Sequence, residues 1–329
     1  MEVFPPEIVK IYEEIRDMKI RGAGRIARAA AMALRMAAEI YTGDDERTLE
    51  YLSSVASYIG SSRPTAVSLP NALHYVLSRV KLAKRRGIRP LKEVAIRAAD
   101  QFIKYSLRAV EMIGKIGAGR IKDGDVVMTH CNSTAALSVI FEAWRRGKRI
   151  KVYATETRPK FQGRITAKAL ASKGIPVVLI PDSAVRYFMK DVDKVVLGAD
   201  AVAANGAVVN KIGTSLIALS AHEARVRVFV ATETYKFSPA TLFGELVKIE
   251  ERGAEEVVGK RYLAENPKVA VRNPAFDVTP PEYIDAIITE RGIIAPQAAS
   301  LVLIEEYGRG FGDYLASITS DIEDEGYVG

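Results

Sequence analysis

The chain has 329 residues, 48% hydrophobic and 26% charged, enough for two domains or one large α/β domain with a buried core. Its single cysteine, Cys131, excludes an internal disulfide; no apolar run is long enough to span a membrane, and the opening MEVFPPEIVKIYEE does not read as a signal peptide, so the expected location is the cytoplasm. The net charge of +7 is scattered over both halves, which an anionic small molecule explains without nucleic acid, and Asn and Gln are scarce, as in heat-tolerant proteins.

Residues 1–115 read as helical. Pro5-Pro6 opens a first helix with Ile8, Ile11, Tyr12 and Ile15 on one face. The stretch RGAG (21–24) breaks it, the Ala-rich RIARAAAMALRMAAEIY follows, and further helices are expected around 45–59, 70–86 and 89–115. From residue 116 the texture changes. VVMTH (126–130), IKVYAT (150–155), PVVLIP (176–181), KVVLGAD (194–200), RVFVAT (227–232) and AIITE (286–290) alternate with helical runs. Strands that are apolar without alternation are buried on both faces, so these predict a doubly wound parallel sheet covered by helices. Such sheets bind ligands beyond the carboxyl ends of their strands. Asn205-Gly206 predicts a hairpin inserted after the fourth of these strands.

Chemistry-bearing residues cluster after those strands. Cys131 ends the first, and Ser133, Thr134 and Ala135 begin the next helix, whose free N–H groups suit a phosphate. The positive helix end is expected to lower the thiol pKa. His130 beside it reads as a core residue, because adjacent strand residues face opposite ways. Asp200 ends VVLGAD behind four apolar residues, where desolvation favours the protonated form needed in a general acid. The hairpin returns the chain to Asn210 and Lys211. Arg21, Gly22, Ala23 and Gly24 form a loop opening a helix, a second candidate phosphate cradle, and Arg63 and Arg158 each precede a proline. ATETRPKFQG (154–163) and ATETYKFSPA (231–240) echo one another after two strands and bring Gln162 and Lys236 to the same level. One cysteine and three scattered histidines make no zinc spacing, and no Walker A, GxGxxG or GxSxG motif follows a strand.

RGAGRIAR, RPTAVSLPNA, THCNS, ETRPKFQGRITA, LGADAVAANGAVVNKIGT, ETYKF and NPAFDVTPPEYIDAIITERGII span nearly the whole chain in order. Together they resemble the superfamily of 5-methylthioribose-1-phosphate isomerase, ribose-1,5-bisphosphate isomerase and the regulatory subunits of translation initiation factor 2B, and most of all its archaeal ribose-1,5-bisphosphate isomerase branch. Asn132 departs from that branch, where a histidine is expected after the cysteine. The resemblance implies an N-terminal all-helical domain (1–115) followed by a Rossmann-like doubly wound domain (116–329). It implies Cys131 and Asp200 as catalytic residues. It implies substrate contacts at Arg21, Gly22, Ala23, Gly24, Arg63, Ser133, Thr134, Ala135, Arg158, Gln162, Asn210, Lys211 and Lys236. The implied activity is isomerisation of the sugar bisphosphate ribose 1,5-bisphosphate to ribulose 1,5-bisphosphate, with no metal and no cofactor; the alternatives are a 5-methylthioribose-1-phosphate isomerase and a non-catalytic initiation factor 2B-like regulatory subunit. AMP is an implied allosteric activator whose site is not located, and the implied assembly is a homodimer or homohexamer without nucleic acid or membrane partners.

Overall fold

The computed structural model describes residues 4–307. Helix α1 (Pro6–Arg16) starts with Pro6 in its first turn, where the missing N–H costs nothing. Helix α2 (Ala23–Ile40) buries Ala27, Ala30, Ala31, Ala33, Ala37 and Ala38, small side chains that let neighbouring helices approach closely. It packs on α3 (Thr48–Ser61) and α4 (Ser68–Arg85), and the Ser68 hydroxyl donates to the Ala23 carbonyl at 2.9 Å. Helix α5 (Leu91–Gly117) completes the helical series.

The remainder alternates strand and helix: β1 (Val126–Thr129), α6 (Thr134–Arg145), β2 (Lys151–Thr155), α7 (Gln162–Ala171), β3 (Val177–Ile180), α8 (Val185–Phe188) and β4 (Lys194–Leu197). After β5 (Ala201–Val202) and β6 (Val208–Lys211) come α9 (Thr214–Glu223), β7 (Arg227–Ala231), α10 (Lys260–Glu265), β8 (Phe276–Thr279), β9 (Ala286–Thr289), β10 (Gly292–Ile294) and α11 (Ala299–Tyr307). All six strands expected from their unalternating apolar runs are present. With β10 added they form one seven-stranded sheet in the order β10-β9-β7-β4-β1-β2-β3, parallel except for β10. From β1 the chain winds outward through β2 and β3, then returns to the other side of β1 with β4. The reversal of direction between β1 and β4 is the topological switch point of a doubly wound sheet.

The hairpin predicted at Asn205-Gly206 joins β5 to β6, with Asn205 Oδ1 accepting from the Ala207 N–H at 3.0 Å. It belongs to a second, three-stranded sheet closed by β8. The strand β8 was not legible as one, because FDVT runs straight into two prolines; its pairing with β6 makes it a strand. The core of the large sheet includes Val127, Val139, Ile140, Val152, Leu170, Val196, Phe229 and Ile288, all buried. Each such side chain contributes about 1.5–3 kcal/mol by leaving water.

Residues 4–307 form two compact units, divided differently from a single cut at 115/116. The first holds the chain up to Ser106, the excursion Phe237–Leu246 and the described residues from Ser300 on; the second holds Leu107–Lys236 and Val247–Ala299. The reason is physical. Helix α5 runs unbroken past the expected boundary, Asn71 Nδ2 ties the Phe237 carbonyl to the helical unit at 2.9 Å, and His74 packs on Tyr307. Among the described residues, no helix is long and apolar enough to cross a membrane.

Candidate active site

The switch point holds the candidate chemistry. Strands β1 and β4 pair side by side, with Val127 opposite Lys194 and Met128 opposite Val195; Cys131 lies two residues past the end of β1 and Asp200 three past the end of β4. The two loops touch. A Cβ on Gly198 would lie 2.3 Å from Ser133 Oγ, so only glycine lets the start of α6 settle over the end of β4. Ser133 caps α6, its Oγ accepting from the Ala136 N–H at 3.2 Å. The N–H groups of Thr134 and Ala135 then have no acceptor within the helix, as at any helix start.

Cys131 adopts a left-handed backbone, φ 61, rare for a residue with a side chain. The peptides on both sides of it are held. The Cys131 N–H donates to Thr157 Oγ1 at 2.9 Å, and its carbonyl accepts from Thr166 Oγ1 at 2.7 Å. Thr166 Oγ1 also lies 3.1 Å from Asn132 Oδ1. The thiol does not behave as the sequence led us to expect. Burial pushes it up to about 11, and Asp200 pushes the same way; Lys211 and Arg252 oppose them without prevailing. Desolvation thus outweighs the positive helix end, and the resting group is a thiol.

His130 is buried, as expected of a core residue. Its Nε2 lies 2.9 Å from the Ile212 carbonyl, which can only accept, so Nε2 carries the proton and Nδ1 accepts from Thr155 Oγ1 at 2.5 Å. Burial pulls its pKa down to about 4, so the ring is neutral at physiological pH.

The hairpin returns Asn210 and Lys211 toward the cysteine loop. Asn210 Nδ2 donates to Thr214 Oγ1 at 2.9 Å. Lys211 is buried, its Nζ donates to the Ala275 carbonyl at 2.8 Å, and it lies 4.8 Å from the centre of the Phe276 ring. Burial lowers its pKa, Arg252 adds to the fall, and Cys131 and Asp200 counter it, which puts all four charged or titratable groups within one another's fields. Gln162 opens α7, four residues before Thr166 and on the same helix face. Its buried Oε1 meets no hydrogen-bond partner among the described residues.

The other expected positions are spread more widely. Arg158 is exposed and its guanidinium donates to the Val257 carbonyl at 2.9 Å. Lys236 is buried and committed to Glu233, Nζ to Oε2 2.6 Å. Arg21, Gly22, Ala23, Gly24 and Arg63 belong to the first compact unit, where Gly22 caps α2 at φ 88. The structure therefore brings Cys131, Ser133, Thr134, Ala135, Gln162, Asp200, Asn210 and Lys211 to the carboxyl edge of one sheet region.

Sequence reasoning missed Thr157, Thr166, Arg252 and Asp277. Thr157 stands in the repeated ATET motif, the one signal that could have found it. Asp277 Oδ2 accepts from the N–H groups of Gly213 (2.7 Å) and Ser215 (3.1 Å), while burial pushes its pKa up to about 6 against those bonds. A cavity of about 280 Å³ lined by His222, Arg225, Val226, Arg227, Tyr283 and Asp285 lies at the amino end of β7, away from this chemistry. Among the described residues, no group of three His, Cys, Asp or Glu side chains could hold a metal ion.

Fold and site define a doubly wound α/β protein with a thiol, a carboxylate and an ammonium gathered at its switch point. The chain belongs to the initiation factor 2 subunit family, whose model matches residues 19–296. It is 56% identical to the ribose 1,5-bisphosphate isomerase of Thermococcus kodakarensis over 92% of this chain and 95% of that one. Among solved structures, the translation initiation factor eIF-2B of Pyrococcus horikoshii OT3 superposes with a TM-score of 0.75 at 31% identity, over 89% of this chain and 98% of that one. The 5-methylthioribose 1-phosphate isomerase of the same organism superposes at 0.72 and 30% identity, over 91% and 88%. By its kinship with curated relatives the chain is an enzyme of the isomerase class.

Proposed function

We propose that the protein converts ribose 1,5-bisphosphate to ribulose 1,5-bisphosphate, with Cys131 and Asp200 as the acid–base pair. The observation that carries this reading is the meeting of Cys131, Asp200 and Lys211 at the switch point, in a chain 56% identical to an isomerase named for that substrate. The chemistry follows from the substrate. A phosphate on the anomeric oxygen prevents simple opening to an aldehyde. Cys131, as thiolate, removes the C2 proton while Asp200 protonates the departing ring oxygen. The product of that step is an enol with its phosphate still on C1. Protonation at C1 and loss of the enol proton give the ketose.

A base with a raised pKa suits a weakly acidic carbon, although its thiolate must first form. Each well-placed acid or base contributes about 10²–10⁴-fold. Lys211 stabilises the negative charge developing at the C2 oxygen. Phosphate contacts are assigned to the N–H groups at the start of α6 and to Arg21, Gly22, Ala23, Gly24 and Arg63; Arg158, Gln162, Asn210 and Lys236 are proposed as the remaining contacts. The reaction is a set of proton transfers, so the reading includes no metal or redox cofactor. AMP activation, a role in AMP degradation, a cytoplasmic location and a homodimeric or homohexameric state are carried over from the resemblance as part of the proposal.

The test is incubation of the pure protein with ribose 1,5-bisphosphate and, separately, with methylthioribose 1-phosphate. Formation of the ketose bisphosphate is expected; turnover of the thioether substrate alone would overturn the assignment.

A further inference from the structure

We infer that Thr157 is the residue that positions Cys131, holding the cysteine peptide in its left-handed conformation through the Thr157 hydroxyl. This rests on the reading of Cys131 as a catalytic group. Thr157 itself has φ 60, an unusual value for a β-branched residue, which must be held by its surroundings. Asp182 supplies that hold: its Oδ1 accepts from the Thr157 N–H at 2.8 Å and its Oδ2 from the Arg158 N–H at 2.7 Å. The Thr157 side chain is fully buried. Its Oγ1 accepts the Cys131 N–H at 2.9 Å and has the Thr155 carbonyl, at 3.3 Å, to receive its own proton. His130 Nδ1 lies 3.4 Å from the same oxygen.

Two strained residues thus face each other, and one buried hydroxyl joins them. Strain of this kind persists only where the surroundings over-determine it. Without the hydroxyl, the Cys131 N–H would be buried with no acceptor, and rotation of the peptide toward water would relieve it. That rotation would carry the sulfur out of its desolvated position beside Asp200 and Lys211. Thr166 holds the following peptide through the Cys131 carbonyl, so the loop stays folded while the sulfur loses its aim.

The test uses Thr157→Val, which keeps the shape and removes the hydroxyl, and Thr157→Ser, which keeps the hydroxyl. Thr157→Ala is the companion that lifts the β-branch strain and protects the fold. Turnover is measured with ribose 1,5-bisphosphate, and alkylation of the single cysteine by iodoacetamide is followed against pH. The expected result for Thr157→Val and Thr157→Ala is a kcat lower by about 10- to 100-fold with KM unchanged. The alkylation midpoint should fall from about 11 toward the ordinary thiol value of 9.0. Thr157→Ser should restore both.

Wild-type kcat and an unmoved midpoint in Thr157→Val or Thr157→Ala, with Cys131→Ser inactive, would overturn the inference. So would failure of Thr157→Ser to rescue. Activity retained in Cys131→Ser would instead remove the catalytic reading, while the alkylation measurement still reports whether Thr157 holds the sulfur in place.

Discussion

Replacing Lys236 by methionine separates the role its ion pair shows from the substrate contact that the resemblance implies. Lys236 Nζ lies 2.6 Å from Glu233 Oε2, with the side chains 7% and 1% exposed. Removing the ammonium leaves Glu233 charged in a buried setting, with the Tyr235 hydroxyl at 3.0 Å as a remaining donor to Oε1. Breaking one partner of a buried pair costs about 3–5 kcal/mol, whereas replacing both by neutral groups of similar shape is often close to neutral. We therefore expect Lys236→Met to lose about 3–5 kcal/mol in urea unfolding, and Lys236→Met/Glu233→Gln to recover most of it. If Lys236 also contacts substrate, as the resemblance implies, the double variant recovers stability without recovering turnover. A single variant within about 0.5 kcal/mol of the parent would refute the structural argument. A fully active double variant would remove Lys236 from the substrate site.

The thiol gives a pH prediction. Its folded pKa, about 11, lies above its ordinary 9.0, so the native state binds the proton more tightly. The associated stability is fully present below pH 9 and lost as pH rises through 11; against a Cys131→Ala reference the loss is at most about 2.7 kcal/mol, and no difference between the two proteins across that range would contradict it. For the same reason the rate of alkylation of Cys131 by iodoacetamide should climb about tenfold per pH unit up to about 11, and a profile that levels off near 9 would contradict the raised value. In Gly163→Ala the new methyl would lie 1.6 Å from the Thr155 carbonyl oxygen, so α7 must shift at a cost of about 3 kcal/mol or more. Gly119→Ala, which meets nothing within 4 Å, is the control, and equal melting temperatures for the two would refute the packing argument.

The sheet was readable because each of its six principal strands is a short, unalternating apolar run. The hairpin was readable from Asn205-Gly206, and the loops worth searching from the strand ends. Strand β8 and the role of Asp277 were not readable, since both exist only through pairing with β6. The thiol was misread for a similar reason. A helix start near Cys131 is visible in sequence, but the burial that overrides it is a property of packing. Thr157 carried a weak signal in the ATET echo, and its contact with Cys131 spans 26 residues of chain. Arg252 carried no signal, because nothing around it in the chain suggests the field it shares with Lys211.

The account depends most on a sulfur and a carboxyl exchanging protons with one sugar. Its most direct measurement is conversion of ribose 1,5-bisphosphate in D₂O, followed by NMR, for the parent, Cys131→Ser and Asp200→Asn. The parent should give ribulose 1,5-bisphosphate carrying solvent deuterium at C1, and each variant should lose turnover by about 10²-fold or more with its circular dichroism unchanged. A folded Cys131→Ser or Asp200→Asn that converts the substrate at the parental rate would contradict the account.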